Sequence, residues 1–345
     1  MNRLLRNREL LVFLLLVVMV IGVGLVSPHF LSPRSLRNVA NSSLILILVS
    51  VGEMFVVLTR GLDVSVGATM GLSAVVLGLA LNAGVALPIA ILLALIVGVL
   101  AGAVNSVGVA IFRVPPIIMT LGTLGMYRGT MRILTGGSWI ETIPANIKHL
   151  AKLTFLEIHM FVWVTLAVIL LAVLVLKKFK PARYFYLVGD NEEGALFLGI
   201  PIQRTVFIAY ILAGLFSAMA AVVFVAQVGF VPMQTGNGQE LKALAALVIG
   251  GVSLTGGVGT PVSAFIGALF LKTVDSMLIF LKVPGYWSNA VGGIILLVAV
   301  YFDYRLREAV NLRQLLSRRK VRMEHIKKVR SAVEANRNGH THEES

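Results

Sequence analysis

Long stretches without a charged residue decide what this chain can fold into. Val283–Phe302 has 20 such residues, Thr205–Gln239 has 35 and Val64–Phe112 has 49. A helix needs about 20 apolar residues to cross a bilayer, so these stretches hold one, one to two, and two spans. Only 13% of the 345 residues are charged and 57% are hydrophobic, against about 25% charged in an ordinary soluble domain. The reading is an all-α polytopic membrane protein.

Ten spans are expected, at roughly 10–27, 39–59, 66–81, 88–112, 117–134, 160–176, 205–227, 241–255, 260–281 and 287–303. With both ends in the cytoplasm, the inner segments carry 21 of the 30 Lys and Arg residues, as the positive-inside bias requires. Arg3, Arg6 and Arg8 before Leu10–Ser27 imitate a signal peptide. However, the apolar run is too long and Ser27-Pro28-His29-Phe30 is no A-x-A-like cleavage site, so the reading is a retained first helix. The formal charge of +14 serves topology rather than nucleic-acid binding. Residues 306–345 read as a basic cytoplasmic tail set against anionic headgroups or disordered, behind a permease domain at 1–305.

Three polar or glycine-rich interruptions stand out. The first is Gly61-Leu62-Asp63-Val64-Ser65-Val66-Gly67, with Arg60 before it and Asp63 placed to cap a helix starting at Val64. It reads either as a short cytoplasmic turn or as non-helical backbone beside a cavity. The second runs from Val248 to Gly259 and holds Gly250, Gly251, Gly256 and Gly257, so the helix breaks there and Pro261 opens the next one. The third, residues 177–204, contains a helix of about eight residues. Asp190 is its expected N-cap, Glu193 completes a capping box, Gly199 is the stop and Pro201 forbids continuation. Ala195, Phe197 and Leu198 give it an apolar surface, and five basic residues place it in the cytoplasm. It reads as a docking helix for a soluble partner, or alternatively as a helix lying on headgroups. Small residues at Gly67/Gly71, Gly98/Gly102, Gly125/Gly129 and Ala213/Ser217/Ala221 suit close helix packing. The loop Thr135–His159 is long enough to receive an external partner.

These stretches carry a resemblance. GDNEEGA at Gly189–Ala195 followed by Gly199-Ile200, GLDVSVG at Gly61–Gly67, TLGTLGMYRG at Thr120–Gly129, TGGSWIE at Thr135–Glu141 and QVGFVPMQTG at Gln227–Gly236 are similar to motifs of the ribose-type ABC-transporter permeases. The sequence departs from that pattern at Gly194, at Leu196–Leu198, and mildly at Leu62 and Val64. The resemblance covers nearly all of the first 305 residues and runs, within the family, to the autoinducer-2 importers, with ribose or another monosaccharide as alternative cargo. It implies an inner-membrane importer subunit. Its partners would be a second permease in a heterodimer, a periplasmic solute-binding protein, and a separate subunit that binds and hydrolyses ATP. Gly189, Asp190, Asn191, Glu192, Glu193, Ala195, Leu198 and Gly199 would contact that ATPase.

The chemistry the sequence lacks agrees with a transport subunit. No G-x-x-x-x-G-K-[ST] is present, so the chain binds no nucleotide through a P-loop. No cysteine is available for a disulfide or thiol catalysis, no span holds a His pair, and no nucleophile stands near a base. No cofactor, metal or catalytic residue is expected. Of the charges in spans, Lys272 and Asp275 are expected to pair with each other, Arg128, Arg132 and Lys242 to reach out from span ends, and Glu53 to meet Arg60 through an intermediate partner. Asn105, Tyr127, Gln227, Gln234, Tyr286, Trp287 and Asn289 are the candidate groups for a path taking a neutral, hydroxyl-rich solute. They also suit satisfying backbone groups at helix breaks. A secondary transporter working alone is the competing class, but it would need its own coupling-ion site.

Overall fold

A computed structural model describes residues 8–284, 287–288, 290–298, 300–301 and 305. The chain divides into two compact units, Met1–Leu296 and Leu297–Ser345. Of the second unit, the described residues 297, 298, 300, 301 and 305 are helical, and the expected basic tail at 306–345 lies outside the described residues.

The first unit is helical almost throughout. α1 is Arg8–Val26, α2 Pro33–Leu58, α3 Val66–Asn82 and α4 Leu87–Ser106, the last running into a π turn at Val107–Ile111. α5 is Pro116–Thr135 and α6 Ala145–Lys152. A two-residue hairpin follows, β1 Thr154–Phe155 paired antiparallel with β2 Ile158–His159. α7 is Met160–Lys178, α8 Tyr184–Asp190, α9 Glu192–Phe197, α10 Ile202–Val228, α11 Gln239–Gly250 and α12 Pro261–Phe280. Proline opens α2, α4, α5 and α12 within their first two positions, where its missing N–H costs nothing. Among the described residues six helices, α1, α2, α4, α7, α10 and α12, are long and apolar enough to cross a membrane.

α2 is the axis of the bundle. It is enclosed over most of its apolar stretch, whereas α1 and α7 are exposed along most of theirs. α10 packs on α2, α3 and α4, and α12 packs on α2 and α11. An exposed apolar helix face suits lipid, while the enclosed helices need close backbone approach. Gly98 of α4 and Gly214 of α10 supply it: a carbon added to either would fall on the other's carbonyl oxygen. The Gly98/Gly102 pattern is therefore a packing seam. Gly125 and Gly129 are not, since nothing stands within 4 Å of where their side chains would be.

The end of one expected span shifts. The span expected at 241–255 ends at Gly250, because Gly251 turns left-handed (φ 93°). At 12 residues it is about 18 Å long at ~1.5 Å per residue, shorter than the hydrocarbon core. The break at Gly250–Gly259 and the restart at Pro261 stand as expected, with Thr260 as N-cap accepting from Ser263 N at 3.0 Å.

Candidate coupling and translocation site

Three interruptions far apart in sequence meet at Arg60. The residue follows α2 in a left-handed conformation (φ 64°), which turns its side chain back under the bundle. Its guanidinium donates to the carbonyls of Gly189 (2.7 Å), Asp190 (2.6 Å) and Thr255 (3.2 Å). The N–H of Gly257 donates to Leu58 O at 3.0 Å. Gly189 fits against Leu58 O and Gly257 N with no room for a further carbon. A planar, always-charged fork is suited to gathering several carbonyls at once. The Arg60 side chain was not among the candidate site residues, and Glu53 does not reach it. The helix ends at Leu58 and Arg60 turns away to the loop, so the expected meeting with Glu53 does not form.

The short helix beyond this junction differs from expectation at its start. Asp190 ends α8, and Asn191 is the N-cap of α9, its side-chain oxygen accepting from Gly194 N at 2.9 Å. The position three residues on is therefore Gly194 rather than Glu193, and no capping box forms. The helix has six residues, not about eight. Asn and Asp are nearly equal as N-caps, and the extension of α8 through Asp190 decides between them. The stop is as expected: Gly199 is left-handed (φ 72°), with Gly199 N bonded to Leu196 O and Ile200 N to Ala195 O. Ala195 turns inward onto Val188 and Ile200, so it is not part of the exposed surface. Leu196, Phe197 and Leu198 are, Phe197 at 91% exposure. Glu192 and Glu193 lie exposed in the first turn.

A polar cluster lies just inside. Asp63 is not the N-cap; α3 starts at Val66 after Ser65. Instead one Asp63 oxygen accepts from Ser65 N (2.8 Å) and Ser65 Oγ (2.6 Å), an Asx turn that places the helix start. Its other oxygen accepts from Asn105 Nδ2 at 3.1 Å, and Asn105 Oδ1 accepts from Thr123 Oγ1 at 2.7 Å. Glu53 Oε1 accepts from Asp63 N at 2.9 Å. Glu53, Asp63, Ser65, Asn105 and Thr123 are all buried. Tyr127 is buried too and donates to Ala101 O at 2.8 Å. Asn105 and Tyr127 therefore brace helices and line no open space.

On the other side of α3, the segment after α10 folds over the start of that helix. Gly236 approaches Gly67 as closely as two backbones allow, and Arg128 donates to Thr235 O at 2.6 Å. Ile140 and Val231 form a two-bond bridge (3.1 and 2.9 Å), with Trp139 stacked on Phe230 at 6.1 Å. Gln234 is exposed, Gln227 is half-buried with Nε2 donating to Asn41 O at 3.1 Å, and Trp287 is exposed at 48%. Tyr286 and Asn289 lie outside the described residues.

The charges in α11 and α12 are arranged differently from expectation. Lys242 does not reach outward; it lies 3.2 Å from Asp275, which Lys272 also approaches at 3.5 Å. Ser288 joins the group, donating to Asp275 at 2.5 Å and accepting from Lys242 at 3.1 Å. Two ammonium groups thus share one carboxylate. Elsewhere Glu9 of α1 accepts from Thr260 Oγ1 (2.6 Å) and Ser263 Oγ (2.7 Å), tying α1 to the second break. Burial, and then the Glu9 carboxylate, push the Tyr186 phenol of α8 above its ordinary range.

An all-helical bundle with two glycine breaks locked onto a polar loop defines a polytopic membrane permease. A model of the family described as branched-chain amino acid transport system / permease component matches residues 35–300, and the chain belongs to that family. It is similar to the autoinducer 2 import system permease protein LsrC of Salmonella typhi, 46% identical over 310 residues, 89% of each chain. It is also similar to the proteins of the same name from Enterobacter sp. (strain 638), 43% identical over 314 residues, 91% of this chain and 92% of that one, and from Escherichia coli (strain K12 / DH10B), 43% over 310 residues, 89% and 91%. No solved structure matches the chain. The protein is a multi-pass inner-membrane permease of an ABC importer, and such a permease works with ATP-binding and solute-binding partners.

Proposed function

We propose that this chain carries autoinducer-2, a small polar solute, across the inner membrane while a separate subunit hydrolyses ATP. The substrate reading rests on relatives 43–46% identical over about nine-tenths of their length. The coupling reading rests on the Arg60 junction, which holds residues 189–190 of the loop against both helix breaks. Ten membrane segments, of which α11 crosses only part of the bilayer, with cytoplasmic termini and a loop at 177–204 facing the ATPase, complete it. Asp190, Asn191, Glu192, Glu193, Leu198 and Gly199 belong to the coupling surface, with Gly189 and Ala195 supporting it from beneath. Residues 1–305 form the permease domain and 306–345 its basic cytoplasmic tail. The chain itself holds no cofactor.

The further partners are a second permease, making a heterodimer, and a periplasmic solute-binding protein. The open glycine face of α5, at Gly122, Gly125 and Gly129, supports close approach of a second permease. Gln227, Gln234 and Trp287 are the described candidates for the path. Uptake of labelled autoinducer-2 and labelled ribose, in cells lacking the native gene and supplied with this one, tests the cargo: autoinducer-2 enters and ribose does not. The reverse result removes the substrate reading. Because the chain has no cysteine, single cysteines test the topology. Asp190→Cys reacts with an impermeant thiol reagent only in opened cells, and Ala145→Cys reacts in intact ones.

A further inference from the structure

A cavity of about 530 Å³ opens where α6 and β2 face the start of α2 and the end of α10. Its size is that of a small-molecule site. Its polar lining is Asn38, Asn41, Ser42, Lys148, Lys152, His159 and Gln227, and the lining contains no carboxylate. Among the described residues neither Lys148 nor Lys152 has an ion pair or a side-chain hydrogen bond. Glu157, five residues after Lys152, is taken by Arg37 at 2.9 Å. Two ammonium groups thus share one concavity whose lining holds no carboxylate among the described residues.

The remaining groups are also set for a ligand. Asn41 Oδ1 is buried without a hydrogen-bond partner, which is costly unless something donates to it. His159 Nδ1 lies 2.8 Å from Ala151 O; a carbonyl only accepts, so the proton sits on Nδ1 and Nε2 remains for another partner. The stem of Lys148 crosses Gly229, the left-handed stop of α10 (φ 79°), where an added carbon would lie 2.7 Å from Lys148 Cε. The position of the first ammonium therefore depends on a residue without a side chain.

We propose that this cavity binds a phosphate group bearing hydroxyls, the ammonium groups taking the phosphate and Asn41 a hydroxyl. Glycerol phosphate, free or as a phosphatidylglycerol headgroup, has that chemistry. The proposal does not depend on the identity of the cargo; of the lining, Gln227 alone is also a candidate for the cargo path.

The test uses the intact importer in nanodiscs of phosphatidylcholine, carrying Ser42→Cys or, as a second reporter, Asn38→Cys, and follows the rate of modification by a maleimide. Glycerol 3-phosphate should slow the reaction at least threefold, and glycerol should not. Replacing part of the lipid by phosphatidylglycerol, with no soluble phosphate, should reproduce the slowing if the headgroup is the source and leave the rate unchanged if the free ester is. Lys148→Gln with Lys152→Gln should remove the protection while the complex still assembles and transports. Equal protection by glycerol, protection that survives the double variant, or no protection from either phosphate source at both reporters would overturn the proposal. So would protection given only by the solute-binding partner, which would make the lysines a protein-docking patch.

Discussion

Gly189 rests against Leu58 so closely that one added carbon would coincide with the Leu58 carbonyl oxygen. The contact joins the loop to the end of α2, and Arg60 clamps it from the side. Gly189→Ala should therefore separate the loop from the bundle. Uptake is expected to fall at least tenfold at normal membrane abundance, with ATP hydrolysis in the purified complex no longer stimulated by substrate. Arg60→Lys should show a similar loss, because an ammonium cannot fork between carbonyls in fixed directions.

The exposed triplet on α9 gives a second expectation. Leu198→Asp sets a charge on the surface offered to the ATPase, and Gly199→Pro removes a left-handed stop that proline cannot adopt. Both variants should reach the membrane and lose uptake and stimulated ATP hydrolysis. Leu196→Ser, a milder change on the same face, should retain part of both. Full transport by the first two variants would place the triplet on lipid instead.

For the Lys242–Asp275–Lys272 group, the number of charges removed matters. Lys272→Met with Asp275→Leu leaves Lys242 without its carboxylate, at a cost on the order of 3 kcal/mol for a stranded enclosed charge. Adding Lys242→Met removes the whole set. The double variant should unfold at lower temperature than the triple in detergent, and the triple should still take up solute. Loss of uptake in a stably folded triple variant would assign these charges to the path and end the neutral-solute reading.

Glu53 accepts a backbone N–H from Asp63, a role its amide analogue can fill. Glu53→Gln should keep uptake within about twofold. Glu53→Ala leaves that N–H unsatisfied in an enclosed site, which typically costs about 1–3 kcal/mol, and should lower thermal stability. A severe uptake defect in a stable Glu53→Gln protein would instead show that the carboxylate itself is needed.

The bundle was legible in the sequence because hydrocarbon demands long apolar helices: α10 runs nearly where a charge-free stretch placed it, and α12 nearly fills the span expected at 260–281. The stops at Gly199 and Gly250–Gly259 were legible for a similar reason, since a left-handed helix stop is most readily supplied by glycine. What could not be read were relations across distance. Arg60 looked like one cytoplasmic charge among several, because its three carbonyl partners carry no side-chain signal. Lys242 and Asp275 are 33 positions apart, while the i,i+3 spacing of Lys272 was visible, so the shorter pair was expected and the shared carboxylate was not. Asn105 and Tyr127 looked like solute contacts because a buried amide and a phenol have the same letters whether they brace a helix or face a channel.

The Arg60 junction also has a bearing on biosynthesis. Its carbonyl partners lie 129, 130 and 195 positions downstream. A ribosome must therefore deliver the chain past Thr255 before the loop at 189–190 can take its final form. A six-residue helix such as α9 does not hold its shape alone. A nascent or truncated permease thus presents no finished surface at that loop, and recruitment of its soluble subunit awaits a membrane domain that is nearly whole.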